Sequence, residues 1–186
     1  PRRILDVATG TGDLAIALAR RIRDVQVMGV DLSEEMLALA RRKVEARGLD
    51  SRIVLERGDA EHLEVADASV DAATVAFGVR NFGDLAAGLR ELARTIRPGG
   101  KVVILEFSRP RNRVFRALYE FYSYKILPRI GGLVSRDKRA YEYLPASVGE
   151  FPAPAEFLGM MEKAGFRNCR AKSQSCGIAQ IYIGER

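Results

Sequence analysis

Apolar runs of strand length alternate with segments of helical period along most of this 186-residue chain. A short apolar run is typical of a strand buried on both faces, and apolar residues every three to four positions indicate a helix. Such alternation predicts right-handed βαβ units, and therefore an α/β fold with a mostly parallel sheet and helices on both faces. Ligands of such sheets bind beyond the carboxyl ends of the strands, so the loops that follow strands are the first place to look for a site.

The helix boundaries have recognisable signals. Ser33 is a favourable N-cap, because its hydroxyl accepts the free backbone amide near Met36, and Gly48 is a favourable stop. The predicted strands span Ile4–Ala8, Val25–Asp31, Ile53–Asp59, Val70–Phe77 and Lys101–Phe107, with two more strand-like pieces in FRNCRAKSQ and GIAQIYIGER. The predicted helices span Leu14–Arg23, Ser33–Arg47, Asp84–Ile96 and Ala155–Ala164, and Arg97-Pro98-Gly99-Gly100 is predicted as a turn.

The alternation stops over residues 109–154, which we predict to be a helical insertion in a single domain of residues 1–186. The insertion contains nine of the Lys and Arg residues against four acidic ones, and five of the six tyrosines. Its segment Arg113–Tyr124 has helical period. This helix either packs on the sheet as ordinary core or covers a substrate as a lid.

Composition excludes several classes of protein. No apolar run approaches the roughly 20 residues that span a bilayer, so we expect a soluble, cytoplasmic protein. Two cysteines and a single histidine do not make a disulfide framework or a Cys/His zinc site, and no metal site is predicted. The net charge of +6 would suit nucleic acid, an anionic membrane face or an acidic ligand.

The first motif that carries chemistry is LDVATGTGDLA, residues 5–15. Gly10 and Gly12 allow a sharp turn that brings backbone amides against a ligand at a helix N-terminus. Asp31 ends the next predicted strand, where a carboxylate can accept both hydroxyls of a ribose. These residues fit NAD and S-adenosylmethionine equally well, so the loop alone does not name its ligand.

Loops later in the sequence distinguish between NAD and S-adenosylmethionine as the ligand. Asp59-Ala60 follows the third predicted strand, where a carboxylate and an adjacent amide can read the amino group and a ring nitrogen of adenine. Pro98-Gly99-Gly100 then precedes the fifth strand. Five motifs follow in order: strand-acid-GxG, strand-Asp, strand-Asp, strand-loop and PGG-strand. This series resembles the class I S-adenosylmethionine-dependent methyltransferases over nearly the whole chain. The resemblance implies a Rossmann-like, seven-stranded, mostly parallel sheet.

The resemblance narrows to one family. LDVATGTGDLA, DLSEEML, GDAEHL, FGVRN, RTIRPGGKVVILEFSRP, YEYLPASVGEFP and SCGIA are similar to the UbiE family, C-methyltransferases of menaquinone and ubiquinone biosynthesis. That resemblance implies methylation of a ring carbon of a polyprenylated quinol, with S-adenosyl-L-methionine as methyl donor and S-adenosyl-L-homocysteine as product. It implies catalytic roles for Arg80 and Asn81. It implies cofactor contacts at Gly10, Thr11, Gly12, Asp31, Leu32, Asp59, Ala60 and Ala76.

The chemistry suggests how Arg80 would act. A quinol carbon becomes nucleophilic when the neighbouring hydroxyl loses its proton, and a guanidinium can stabilise that oxyanion. Arginine stays protonated and is a poor base, so a water ordered by Arg80 and Asn81 would carry the proton away. The plain alternative is that Arg80 forms a surface ion pair with Asp84.

Other functions stay open at this point. A nucleic-acid methyltransferase would explain the charge, but Ala76-Phe77-Gly78-Val79 stands where the N-methylating enzymes have an Asp/Asn-Pro-Pro-aromatic motif. A methyltransferase of another small molecule, an NAD-dependent dehydrogenase and a non-enzymatic adenosine-binding module also remain. The expected partners are a lipid-soluble quinol, an anionic membrane face touched peripherally, and a second copy of the chain, without nucleic acid. The family's amino-terminal segment lies outside this sequence or is absent from this member.

Overall fold

A computed structural model describes residues 1–108 and 151–186 of the protein. The predicted insertion at 109–154, with its helix at 113–124, lies outside the described residues apart from its end at 151–154. The strands are β1 (Arg3–Val7), β2 (Gln26–Asp31), β3 (Ile53–Arg57), β4 (Val70–Ala76), β5 (Ile96–Phe107), β6 (Arg167–Gln174) and β7 (Ala179–Glu185). The α-helices of the described residues are α1 (Asp13–Arg21), α2 (Glu34–Glu45), α3 (Leu85–Thr95) and α4 (Pro154–Lys163).

The strands form one seven-stranded sheet with the order β3-β2-β1-β4-β5-β7-β6. Strands β1 to β5 pair in parallel, whereas β7 lies antiparallel between β5 and β6. The predicted fold class, a mostly parallel Rossmann-like sheet, is confirmed. The reversed β7 distinguishes this sheet from the 3-2-1-4-5-6 order that is typical of NAD-binding domains.

Hydrophobic clusters cover both faces of the sheet. Side chains alternate along β1, so that Leu5 and Val7 join one cluster and Ile4 joins the other. The larger cluster contains Leu89 and Leu92 of α3 together with residues of α4 and β7, and the smaller one contains residues of α1 and α2. The central strands read as continuous apolar runs because both of their faces are buried.

The helix caps anchor the loops that follow the strands. Ser33 Oγ accepts the backbone amide of Met36 at 3.3 Å, as the sequence predicts, and Asp84 Oδ1 accepts that of Ala87 at 2.9 Å. Each capping side chain satisfies one of the amides that the first helical turn leaves without a partner. Since both caps lie at the carboxyl edge of the sheet, α2 and α3 begin close to the loops in which a ligand would bind.

Strand β5 begins earlier than predicted. Val70 pairs with Ile96 and Ala72 pairs with Lys101, so the residues 97–100 form an irregularity within the strand instead of a separate turn before it. The backbone amide of Gly99 donates to the carbonyl of Arg186 at 2.8 Å. Pairing with both the start of β4 and the chain end explains why this segment stays within the sheet.

No helix of residues 1–108 and 151–186 is long and apolar enough to cross a membrane.

Candidate active site

A cleft with a volume of about 270 Å³ opens beyond the carboxyl ends of the first four strands. The loops after β1, β2, β3 and β4 all contribute to its walls. Of the residues predicted from the sequence to bind the cofactor or to act in catalysis, Asp31, Leu32, Asp59, Ala60 and Asn81 line this cleft. The structure therefore brings together side chains that three separate loops contribute.

The glycine-rich turn after β1 has the backbone that its sequence predicts. Gly10 and Gly12 have φ angles of +55° and +76°, in the left-handed region that favours glycine. A side chain at position 10 would meet nothing within 4 Å, whereas a Cβ at position 12 would lie 3.0 Å from Cβ of Ala40. Gly10 thus leaves open space for a ligand, and Gly12 lets α1 approach α2.

Asp31 links this turn to the end of β2. Its Oδ2 accepts the backbone amide of Gly10 at 2.7 Å, and its Oδ1 accepts that of Ser33 at 2.9 Å. The two bonds fix the plane of the carboxylate, and each oxygen keeps a further lone pair. Because Asp31 lines the cleft, those lone pairs can accept the two hydroxyls of a ribose.

Asp59 shapes the loop after β3. Its Oδ1 accepts the backbone amide of Glu61 at 2.9 Å, which fixes a tight turn around Ala60. Glu61 in turn accepts the backbone amide of Asp84 through Oε1 at 2.9 Å, so this loop is tied to the start of α3. The loop therefore presents a carboxylate and a neighbouring backbone to the cleft in a fixed arrangement.

A second cavity, of about 280 Å³, adjoins the cleft at Ala8. Thr11 and Ala76, both predicted cofactor residues, line it together with Asp6 and Asp13. Thr11 Oγ1 donates to Asp13 Oδ2 at 2.8 Å and accepts from Lys43 Nζ at 2.8 Å. Asp13 also forms an ion pair with Lys43, whose Nζ lies 2.8 Å from its Oδ2. Of the two carboxylates in this cavity, Asp6 is therefore the one that suits a cationic group of a ligand.

Asp6 is almost completely buried. Its side chain accepts hydrogen bonds from the hydroxyls of Thr9 and Thr74, each at 2.6 Å. Burial raises the pKa of the Asp6 carboxyl to about 6, against the opposing effect of the Thr74 and Thr9 hydroxyls, and the charge of Asp31 raises it slightly further. This residue was not among the predicted site residues, although an acid in an otherwise apolar strand is a signal for one.

Arg80 lies in a short 3₁₀ turn, Val79–Asn81, directly after β4. Its Nη1 donates to Oε1 of Glu106 at 2.7 Å and to the carbonyl of Phe77 at 2.5 Å, and its guanidinium lies 5.5 Å from the centre of the Phe107 ring. The alternative of a surface ion pair with Asp84 is wrong: Asp84 caps α3, and Arg80 pairs with a buried carboxylate.

The family model for the ubiE/COQ5 methyltransferase family matches residues 1–186. The chain belongs to this family.

Curated relatives agree with this membership. The chain is 48% identical to a ubiquinone/menaquinone biosynthesis C-methyltransferase UbiE of Geobacter sulfurreducens, over 99% of this chain and 72% of the relative. It is 47% identical to a demethylmenaquinone methyltransferase of Thermus thermophilus, over 100% of this chain and 83% of the relative. A demethylmenaquinone methyltransferase of Deinococcus radiodurans is 48% identical, over 100% of this chain and 76% of its own length.

Solved structures agree on the fold. A crystal structure of a SAM-dependent methyltransferase from Aquifex aeolicus is similar with a TM-score of 0.72 at 20% sequence identity, over 98% of this chain and 81% of the other.

The predictions of a UbiE-family member, of S-adenosylmethionine as methyl donor and of an enzyme that carries out C-methylation in quinone biosynthesis are confirmed. The dehydrogenase, nucleic-acid methyltransferase and adenosine-binding alternatives are thereby set aside.

Two buried acids near the site, Asp6 and Glu106, were not among the residues predicted from the sequence. Both occupy central strands whose other residues are mostly apolar, LDV in β1 and VVILEF in β5. Burying an ionisable group without a partner is costly, so a lone acid in such a strand indicates a specific partner. Which partner it finds depends on the neighbouring strand, and the sequence does not show that.

Proposed function

We propose that the protein methylates a ring carbon of a polyprenylated quinol, with demethylmenaquinol as its substrate. One observation carries the proposal: Asn81 and Gly78, on either side of Arg80, line the same cleft as Asp31 and Asp59. The turn that would face the quinol therefore adjoins the residues that would hold the methyl donor. An arrangement of this kind lets one protein align a carbon nucleophile with a methyl group and exclude water.

The described residues fit S-adenosylmethionine. Asp31, held by the amides of Gly10 and Ser33, would accept the ribose hydroxyls, and Asp59 and Ala60 would read the adenine edge. Asp6, at the second cavity, would face the positive charge of the methionine moiety, whereas Asp13 is already paired with Lys43. The bound donor supplies a methyl group on a sulfonium, which is electrophilic.

Arg80 would stabilise the oxyanion that forms when the quinol hydroxyl loses its proton. Its guanidinium is already fixed by Glu106 and by the Phe77 carbonyl, so little reorganisation is needed when charge develops. Asn81 would order a water that takes the proton, because it lines the cleft one residue further along the turn. Both roles require the negative charge to develop beside this turn.

An aromatic surface beside Arg80 supports an aromatic substrate. The rings of Phe77 and Phe107 have centroids 4.4 Å apart and planes tilted by 30°, and Phe77 is 37% exposed. Phe77 lines the second cavity, which adjoins the cleft, and a partly exposed ring there is suited to offset stacking with a second flat ring. Two of the relatives described above are named demethylmenaquinone methyltransferases, which favours a naphthoquinol over a benzoquinol.

The decisive experiment is a methyl-transfer assay with two substrates. Purified protein and labelled S-adenosylmethionine are incubated with demethylmenaquinol or with the demethylated benzoquinol of the ubiquinone pathway, under reducing conditions. We expect label in the naphthoquinol product. Label in the benzoquinol alone would contradict the substrate assignment, and label in neither would contradict the quinol proposal as a whole.

We also propose that the protein touches an anionic membrane face, since its substrate is lipid-soluble. The proposal rests on the charge of residues 109–150, which lie outside the described part of the structure. Nine Lys and Arg residues against four acidic ones would attract anionic headgroups. Co-sedimentation with anionic vesicles should fall as salt rises, and binding that is absent at low salt or indifferent to salt would refute it.

A further inference from the structure

We infer that Glu106 is a positioning residue of the methyl transfer, holding the turn that carries Arg80 and Asn81 at the edge of the cleft. The inference rests on the proposed function, because it concerns how Arg80 comes to face the quinol. Glu106 lies next to the end of β5, and its side chain is 0% exposed. Neither Glu106 nor Arg80 is among the residues that line the cleft, whereas Asn81, the next residue of the turn, is. Glu106 would therefore act on the reaction through the position of this turn.

Glu106 ties three groups together. Its Oε1 accepts Arg80 Nη1 at 2.7 Å and the backbone amide of Phe107 at 2.7 Å, and its Oε2 accepts the backbone amide of Arg80 at 3.2 Å. One carboxylate thus binds both the side chain and the main chain of residue 80 to the end of β5. The short turn Val79–Asn81 is fixed in position and in orientation at once.

This arrangement is costly for a contact that only stabilises the fold. The Arg80 side chain is 10% exposed, and its Nε is buried without a hydrogen-bond acceptor among the described residues. A buried ion pair also loses the hydration of both charges. Phe77, whose carbonyl accepts Arg80 Nη1, has a φ of +57°, which is strained for a side chain of this size. Costs of this kind cluster at functional sites, where geometry matters more than stability.

The same fold contains a matched control. Glu91 also binds a guanidinium and a backbone amide: it accepts Arg94 Nε at 2.7 Å and the amide of Leu63 at 2.8 Å. The residues on either side of Arg94 do not line the cleft, whereas Asn81, beside Arg80, does. Loss of the Glu91 charge should therefore affect folding without affecting the reaction.

The test compares Glu106→Gln, Glu106→Asp and Glu91→Gln in the methyl-transfer assay and in calorimetric titration with S-adenosylmethionine. Displacing a catalytic group by about 1 Å can cost roughly 100-fold in rate, so we expect a loss of that order in kcat for Glu106→Gln, with unchanged cofactor affinity. Glu106→Asp, which keeps the charge, should recover part of kcat. Glu91→Gln should leave kcat unchanged. Wild-type kcat in Glu106→Gln, or an equal loss of kcat and cofactor affinity, would overturn the inference.

A double mutant shows whether Glu106 acts through Arg80. In the Arg80→Ala background, Glu106→Gln should cause a much smaller loss of kcat than in the wild type, because the guanidinium is gone and only the backbone of the turn is left to position. An additive loss would overturn the inference.

The inference also has a readout that needs no substrate. If the wild-type protein methylates neither quinol, the proposed function fails. Hydrogen exchange then still tests whether Glu106 holds the turn Val79–Asn81 in position. The backbone amide of Arg80 should exchange faster in Glu106→Gln than in Glu91→Gln, and equal rates would overturn the positioning role.

Discussion

The backbone amide of Gly10 donates to Oδ2 of Asp31 at 2.7 Å, joining the glycine-rich turn after β1 to the end of β2. The two residues lie 21 positions apart in the chain, and each was predicted to bind the cofactor. The bond aligns the carboxylate before any ligand arrives. A site that is already arranged in this way avoids part of the ordering cost of binding.

Asp31→Asn should weaken the binding of S-adenosylmethionine by about 10- to 100-fold, since a hydrogen bond to a charged group contributes about 1.5–3 kcal/mol. The side-chain NH2 group of this variant could also point at the backbone N–H of Gly10 or Ser33, so that two donors would face each other. Asp24→Asn is the matched control, because Asp24 is exposed and precedes the first residue of β2, whereas Asp31 is the last residue of that strand. Calorimetric titration measures both. An unchanged affinity in Asp31→Asn, or an equal loss in Asp24→Asn, would contradict the ribose role.

Arg80→Ala should reduce kcat by at least about 100-fold while leaving the affinity for S-adenosylmethionine nearly unchanged, because a lost oxyanion donor typically costs that much in rate. Removing the guanidinium also leaves the buried Glu106 carboxylate without its partner, so the melting temperature should fall. The double variant Arg80→Ala/Glu106→Ala should regain stability without regaining turnover. Recovery of turnover in the double variant would show that Arg80 only neutralises Glu106.

Ala8 and Gly78 should show strong coupling in a double-mutant cycle. Ala8 has a φ of +53°, and a Cβ on Gly78 would collide with the Ala8 Cβ. Ala8→Gly should stabilise the protein by about 1 kcal/mol, because alanine in the left-handed region is strained. Gly78→Ala should destabilise it by about 1–3 kcal/mol through overpacking. In the Ala8→Gly background, urea denaturation should show Gly78→Ala to be nearly harmless, and an equal cost in both backgrounds would refute the collision.

Asp6 should make the free energy of unfolding depend on pH in an unusual direction. Its pKa is about 6 in the fold and near 3.8 in the unfolded chain, so its protonated form is favoured by folding. The stability that this proton contributes is present below pH 4 and is lost as the pH rises through 6. Asp6→Asn should therefore gain stability relative to wild type between pH 4 and 7.5, by about 3 kcal/mol at most.

Asp71→Asn is the control for this measurement. Backbone amides of Arg2 and Arg3 hold the pKa of Asp71 below its usual range, together with the charge of Arg97. Its stabilising effect is therefore present at neutral pH and is lost as the pH falls, which is the opposite sign. Denaturant titrations at several pH values measure both differences. If the difference in free energy of unfolding between wild type and Asp6→Asn does not change with pH, the raised pKa of Asp6 is contradicted.

The conformation of the loops proposed to hold the cofactor could be predicted from local sequence. Gly10, Gly12 and Asp31 occupy short loops whose backbone their own residue types restrict, and each follows a strand recognisable from its apolar run. Parallel strands place such loops at one edge of the sheet, so their neighbourhood follows from the alternation of strands and helices. The caps Ser33 and Asp84 are local in the same sense, since each bonds an amide three residues away.

The environment of Arg80 could not be predicted in this way. An ion pair with its sequence neighbour Asp84 was the alternative to a catalytic role, and the structure pairs Arg80 with Glu106, 26 residues away on β5. Likewise Asp6 finds Thr74 across 68 residues, on the adjacent strand β4. The antiparallel position of β7 between β5 and β6 was not predicted either. Two strand-like segments at the end of the sequence do not show at which edge of the sheet they pair, or in which order.

By itself, then, the sequence determined the strands and helices, the edge of the sheet at which the cleft opens, and the residue types proposed to hold a ribose and an adenine. These depend on periodicity, turn chemistry and capping, which act over a few residues. Only the tertiary structure decided which buried charges meet. A buried carboxylate is tolerated where a donor from another strand reaches it, and that depends on the register between strands that are distant in the chain.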